Sequence, residues 1–260
     1  ILGVVAIVGL VNRAQAQKKQ YTMAEATNGI TTTLAPKGLK ATSWEPGTNT
    51  LYHIVKTGTG DAWVSVHLPG MKTDTVLRLE EFNKSINGNN KSLPALHWID
   101  KGLVWAQEGE QLYQGIPSAT GYLWSKWVTV PEKAENITVD KVQNVVYTID
   151  NNLYMITPNK AVLQVPNDKD PHIINGQSVH RNEFGITGGI FLSPQGNYLA
   201  YYDMDETMVA DYPITDWNAA TAKAKMIKYP MAGDTSHQVK LHVFNPTTAK
   251  TTVINTEGPV

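Results

Sequence analysis

The chain has 260 residues, 42% of them hydrophobic, and a formal net charge of -1. This balance lacks the basic excess of a nucleic-acid binder and the acidic tail of a solvating segment, and the length suits one large all-β domain or part of a larger one. With no cysteine, a disulfide framework, a thiol nucleophile and a zinc-thiolate site are excluded, and the histidines include no His-x-x-x-His pair.

Ile1 to Val11 is apolar but too short to span a bilayer, and Ala14-Gln15-Ala16 follows as a small-x-small cleavage signal. Residues 1–16 therefore read as the back half of a secretory signal peptide, with a buried N-terminal strand as the alternative. The chain opens without Met or a basic leader, so the sequence is expected to be clipped. The mature protein, 17–260, is expected to begin near Gln17, to be exported, and to have no membrane association after processing.

Tyr21 to Ala26 predicts the start of a short helix, because Thr22 and Glu25 have the spacing of a capping box. Short β-rich runs broken by turns follow. Lys40 to Trp44, Leu51 to Lys56, Ala62 to Leu68 and Asp74 to Leu79 form a first set of four strands. Ala95 to Trp98, Gly102 to Gln107, Gln111 to Gln114 and Tyr122 to Val128 form a second. Asn136 to Asp140, Val145 to Ile149, Leu153 to Ile156 and Ala161 to Gln164 form a third, with Asp150-Asn151-Asn152 as a tight turn. Gly189 to Leu192, Tyr198 to Tyr202, Val239 to Asn245 and Thr251 to Asn255 complete a fourth.

The first-turn positions Pro46, Asp100, Asp140 and Pro194 are 54, 40 and 54 residues apart. Four strands per period of 40 to 50 residues is the pattern of propeller blades. The predicted fold is all-β, a partial β-propeller of about four four-stranded blades, with a β-sandwich as the competitor. No long apolar stripe of helical period occurs, so helices are expected to be scarce. Met204 to His237 interrupts the last blade as an insertion whose length implies function or a contact surface, with Ala219 to Lys225 as a helical turn inside it. Trp44, Trp98 and Trp105 read as inter-blade core.

Several chemistries are missing. No serine has glycines two residues away on both sides, so the elbow of an α/β hydrolase is absent and no catalytic residue is assigned. Ser193, in Ser193-Pro194-Gln195-Gly196, reads as a hairpin residue. Asp203, Asp205 and Glu206 lack the glycine of a calcium loop, so no metal is assigned. Gly185, Gly188 and Gly189 do not form a phosphate loop, and no cofactor is expected. They read instead as the means of a tight bend. The remaining candidate is Glu183, in the loop His180-Arg181-Asn182-Glu183-Phe184 ahead of a strand-turn-strand unit. It either pairs with Arg181 or a neighbouring blade, or faces a ligand cation. A peptide α-amine, with a pKa of about 8, is mostly protonated at neutral pH.

Four motifs carry a resemblance. Val179-His180-Arg181-Asn182-Glu183-Phe184-Gly185-Ile186, Ser193-Pro194-x-Gly196-Asn197-x-Leu199-Ala200, Met204-Asp205-x-x-Met208-Val209-x-Asp211-Tyr212-Pro213 and Tyr229-Pro230-Met231-Ala232-Gly233-x-x-Ser236-His237 occur in order. Together they resemble the N-terminal region of bacterial dipeptidyl peptidase IV-type enzymes, the prolyl tripeptidyl peptidase branch most closely, within the prolyl oligopeptidase family. The resemblance implies half of an eight-bladed propeller that covers a C-terminal α/β-hydrolase domain absent from this chain. It implies an exported, periplasmic or secreted serine peptidase that releases di- or tripeptides after proline, with the triad beyond Val260. The substrate is then a peptide with a free N-terminus and proline.

On the same ground Glu183 falls at the acidic position that holds the substrate amine, with Asn182 and Arg181 beside it. Asn182 stands where a second Glu is found in dipeptidyl enzymes, which implies a roomier subsite. Asp203, Gly188 and Leu192 depart from the basic residue, lysine and tryptophan of the pattern. The Met204 to His237 insertion is a candidate homodimer arm. The alternative is a non-catalytic propeller module that binds peptides or another protein.

Overall fold

The structure, a computed structural model, describes residues 20–118, 121–166 and 168–256. The expected signal segment, with Gln17, lies outside the described residues, as does Gly258-Pro259-Val260. The chain divides into two compact units, Ile1–Leu39 and Lys40–Val260. In the first, Thr22 and Glu25 make the expected reciprocal cap: Thr22 N–H donates to Glu25 Oε2 at 2.9 Å and Glu25 N–H to Thr22 Oγ1 at 3.2 Å. The turn they open widens into a π-helical stretch at Glu25–Gly29.

Among the described residues the second unit is all-β apart from one 3-10 turn and one helix. A first antiparallel sheet runs β1 (Lys40–Trp44), β2 (Thr50–Thr57), β3 (Gly60–His67) and β4 (Lys72–Arg78), in that order. Helix α1 (Leu79–Ile86) follows, and it was not foreseen: Leu79 was expected to close a strand. Its signals are local. Arg78 N–H donates to Glu81 Oε2 at 2.8 Å, Asn87 stops the helix at φ +53°, and Phe82 and Ile86, one turn apart, share its buried face. A second sheet is β5 (His97–Asp100), β6 (Leu103–Glu108), β7 (Gln111–Ser118) and β8 (Gly121–Thr129). The third is β9 (Glu135–Val139), β10 (Val145–Ile149), β11 (Asn152–Ile156) and β12 (Val162–Gln164), with Asp150 and Asn151 as the two-residue turn.

These sheets stack in chain order through three apolar layers. Ile54, Trp63, Leu77 and α1 meet Val104, Ala106, Tyr113 and Trp124, and Phe82 is fully buried, edge-on to Tyr113 and Trp124. Trp105 and Leu112, on the opposite face of the second sheet, meet Val145 and Tyr147. Val146 and Met155, on the other face of the third, meet Leu199, Tyr201 and Phe244. Because successive side chains of a strand point to opposite faces, Val145-Val146-Tyr147-Thr148 is buried throughout. This explains why β10 reads as a continuous apolar run and not as an alternation.

Polar clamps join the layers. Glu45, in the first turn, accepts the Gly102 N–H of the second sheet through Oε1 at 3.1 Å and the Tyr52 hydroxyl through Oε2 at 3.2 Å. Burial, reinforced by Glu45, pushes the Tyr122 phenol up to about 12 and Tyr52 further still. Trp98 and Trp105 belong to the interlayer core as expected, but Trp44 does not: it is 53% exposed. On edge strand β1 it shares the exposed face with Lys40 and Thr42, opposite Ala41, which packs against the core.

The fourth sheet comprises β13 (Ile173–Asn175), β14 (Ile190–Leu192), β15 (Leu199–Asp205), β18 (Gln238–Asn245) and β19 (Lys250–Ile254). The hairpin strands β16 (Asp211–Thr215) and β17 (Ala224–Lys228) stand apart inside the insertion. The helical turn expected at Ala219 to Lys225 is therefore replaced: Ala224 and Lys225 pair with Thr215 and Ile214, and Asp216 closes the turn by accepting the Asn218 N–H at Oδ1.

Candidate functional site

The fourth sheet has one irregularity, and it builds the site. The position beside β15 is filled by two short strands in succession, β14 pairing with Leu199–Tyr201 and β13 with Asp203–Asp205. Between them residues 176–189 leave the sheet. Both ends of this excursion close on one residue: Gly176 N–H donates to Tyr202 O at 2.8 Å, and Tyr202 N–H donates to Gly189 O at 3.1 Å. The neck admits only glycine. Gly176 has φ +70° and a Cβ there would meet Leu153 Cδ1 at 2.7 Å, whereas a Cβ on Gly189 would collide with the Gln177 carbonyl. Of the glycines expected to allow a tight bend, Gly185 takes a left-handed φ of +76° and Gly189 lies hard against the Gln177 backbone, while Gly188 has open space around it.

Within the excursion Val179 is buried and His180–Asn182 form a single 3-10 turn that presents Glu183. Three non-glycine residues here are left-handed: His180 at φ +51°, Asn182 at +61° and Phe184 at +57°. Asn tolerates this region, but His and Phe do so at a cost of order 1 kcal/mol each. The conformation is held by Glu183 N–H to His180 O at 2.9 Å, Ile186 N–H to Glu183 O at 3.0 Å and Ser178 Oγ to Ile186 O at 2.9 Å. His180 Nδ1 also lies 3.0 Å from His237 Nε2, tying the turn to the residue that leads into β18.

Glu183 opens onto a cavity of about 350 Å³. Its walls come from the turn (Ser178, His180, Phe184), from Met204, Glu206 and Val209, and from Lys228, Tyr229, Pro230, Ser236 and His237. Three of the four motifs thus converge here although their residues lie up to 57 positions apart, which no local pattern reveals. Phe184, 86% exposed, forms an apolar lip. Lys228 is engaged: its Nζ lies 3.2 Å from Asp211 Oδ1 and donates to Val209 O at 2.9 Å.

Asn182 is exposed beside Glu183, whereas the Arg181 side chain is outside the described residues, so the expected Arg181 pairing has no structural account.

Asp203, Asp205 and Glu206 diverge. Asp203 lies 3.9 Å from His242 Nδ1, with burial raising its carboxyl above the usual range and His242 opposing. Asp205 accepts the Thr207 hydroxyl and N–H, which hold it low. Glu206 turns to the cavity and to His172, its Oε1 3.4 Å from Nδ1. His180, His237 and Tyr229 were missed as site residues, signalled only by their occurrence inside the quoted motifs, whereas Glu206 was weighed only for a metal with Asp203 and Asp205 and stands at an unspecified position of the third motif. Among the described residues no cluster of three metal-ligating side chains occurs. Ser193 is a hairpin residue, as expected: its carbonyl accepts the Gly196 N–H and its Oγ the Tyr198 N–H. The arrangement offers carboxylates in a cleft with an apolar lip, suited to a cationic group.

A family model described as dipeptidyl peptidase IV (DPP IV) N-terminal region matches residues 125–260. Dipeptidyl aminopeptidase B of Saccharomyces cerevisiae is 29% identical over 111 residues, 39% of this chain and 14% of the yeast protein. A Bacteroides ovatus crystal structure described as a dipeptidyl aminopeptidase IV superimposes with a TM-score of 0.69 at 33% identity, covering 86% of this chain and 31% of that one. Porphyromonas gingivalis dipeptidyl peptidase 4 gives a TM-score of 0.67 at 18% identity over 93% of this chain and 36% of that one, a likeness of fold. The chain thus spans well under half the length of these relatives.

Proposed function

Because this chain belongs to the family of dipeptidyl peptidase IV N-terminal regions, we propose that it is the substrate-recognising part of an exported serine peptidase that releases N-terminal di- or tripeptides after proline. In this reading the four stacked sheets are four blades of an eight-bladed propeller. The Ser, Asp and His of acyl-enzyme catalysis reside in an α/β-hydrolase domain outside these residues.

The single observation that carries the assignment is the Glu183 carboxylate, held on a strained turn at the mouth of a cavity built by distant motifs. Strain retained by surrounding contacts is a mark of functional sites. A charge-assisted bond between Glu183 and a peptide ammonium contributes roughly 1.5–3 kcal/mol and fixes how far the chain end enters. Remote binding energy of this kind orients the scissile bond. The insertion supplies a second surface: Tyr212, Ile214, Trp217 and Met226 are exposed on its hairpin, which suits a homodimer contact.

The test is Glu183→Ala in the full-length enzyme, assayed on an alanyl-prolyl chromogenic substrate. The expected result is a loss of catalytic efficiency of about tenfold or more, and residues 17–260 alone should turn over nothing. Unchanged kinetics would remove Glu183 from the site, and turnover by the isolated segment would refute the division of labour.

A further inference from the structure

Under the function proposed above, what Glu183 can do depends on where its turn is held. His180 opens that turn in a left-handed conformation, φ +51°, and its carbonyl accepts the Glu183 N–H at 2.9 Å. Its ring stands edge-on to Phe184, with centroids 6.1 Å apart, so the carboxylate and the apolar lip both hang on this one residue. His180 Nδ1 lies 3.0 Å from Nε2 of His237, the residue before β18, and the two ring planes cross at 43°. Strand β18 is paired on both sides, with β15 and with β19, so it forms the firm side of this contact.

An imidazole nitrogen either carries a proton and donates or presents a lone pair and accepts. A contact between two such nitrogens therefore needs one proton between them. Two neutral rings supply it, and so does a pair with one extra proton, whose bond is charge-assisted. A second extra proton sets two N–H groups and two cations against each other at 3.0 Å, and the bond is lost. The charged and titratable groups around the pair are Glu183 and Arg181 on the turn, Glu206 with its partner His172, Lys228 with its partner Asp211, and Tyr229.

We infer that His237 is a positioning residue for Glu183: it holds the turn through His180 while the histidine pair carries at most one extra proton, and releases it when both rings are charged. The left-handed backbone at His180 then has nothing to retain it, and the turn relaxes away from the cavity. The site therefore binds a substrate amine at neutral pH and lets it go in acid, although the amine, with a pKa of about 8, stays charged throughout.

The experiment uses the full-length enzyme and compares kcat/KM for a prolyl anilide with a free α-amine against its desamino isostere, from about pH 7 to about pH 5, where histidines change charge. The catalytic groups act on both substrates alike, so the ratio reports the amine site. In the parent the ratio should fall about fivefold or more toward the acid end. His237→Gln, whose amide donates or accepts toward His180, should hold it within about twofold, and His237→Ala should give a lower ratio than His237→Gln already at neutral pH. His172→Gln, the control for the neighbouring histidine, should keep the parent's decline. A ratio independent of pH in the parent, a decline that survives in His237→Gln, or one abolished by His172→Gln overturns the inference, while a selective loss in Glu183→Gln leaves the proposed function standing. No selective loss in Glu183→Gln sinks the amine-site reading and this inference together. If His237→Gln does not fold, His180→Asn places an amide at the Nδ1 position and tolerates the left-handed backbone. It should flatten the decline in the same way, and persistence of the decline counts against the inference.

Discussion

Gly189→Ala tests the neck on which the site depends. The added methyl would collide with the Gln177 carbonyl oxygen and crowd the Gln177 carbonyl carbon at 2.5 Å and nitrogen at 2.8 Å, all backbone atoms that no rotamer change can clear. Relief requires the neck to open, which breaks the 3.1 Å bond from Tyr202 N–H to Gly189 O and slackens the seat of the Glu183 turn. Overpacking of this kind costs about 1–3 kcal/mol and the lost bond a further 0.5–1.5 kcal/mol. A combined loss of about 2–4 kcal/mol lowers Tm by roughly 5–15 °C for a domain of this size. Gly188→Ala is the internal control, because a Cβ there meets nothing within 4 Å. Thermal denaturation of the two variants beside the parent, with peptide-substrate kinetics in the full-length enzyme proposed above, is the assay. If Gly189→Ala is as stable and as active as Gly188→Ala, the neck is not sterically closed and its account fails.

Two further outcomes follow from partly buried polar groups. Glu45→Ala removes the acceptor shared by Gly102 N–H and the Tyr52 hydroxyl and should cost about 1–3 kcal/mol, read as a lower urea midpoint, whereas Trp44→Ala on the exposed face next to it should stay within about 0.5 kcal/mol. Asp203 is held above the usual carboxylate range chiefly by burial, with His242 opposing. Its contribution to stability is therefore present below its unfolded pKa and lost as pH rises through the higher native one. Asp203→Asn should flatten that decline, so that the variant gains on the parent between acid and neutral pH. A pH-independent difference in Tm between the two would contradict this.

Much of the architecture was legible in residues close together in the chain. The turn chemistry of Pro46, Asp100, Asp140 and Pro194, with β-rich runs between them, located sixteen strand segments, because strand propensity and turn conformations are local properties. Glu183 stood out for a related reason: a lone acid in the polar loop His180 to Phe184, ahead of a hairpin, is visible from its near neighbours in the chain. The reading failed where local signals were faint or tertiary contacts decided. Helix α1 is only eight residues long and too short for a clear stripe, although Phe82 and Ile86 with the Asn87-Gly88 stop contained its signature. Trp44 looked like core because its type is apolar, yet which face of an edge strand is covered depends on the neighbouring sheet.

The site required the fold itself. Nothing in the order of residues indicates that β13 and β14 share one partner strand, so nothing shows that residues 176–189 are squeezed out between them onto a neck at Tyr202. Nor does spacing bring Glu206, His237 and Tyr229 to the cavity of Glu183, since hydrogen-bond register and sheet stacking place them there. The sequence by itself located sixteen strands and their turns and singled out one carboxylate, but it did not show β13, β16 or β17. The tertiary structure decided which other groups that carboxylate faces, because proximity across a sheet follows from pairing register and not from distance along the chain.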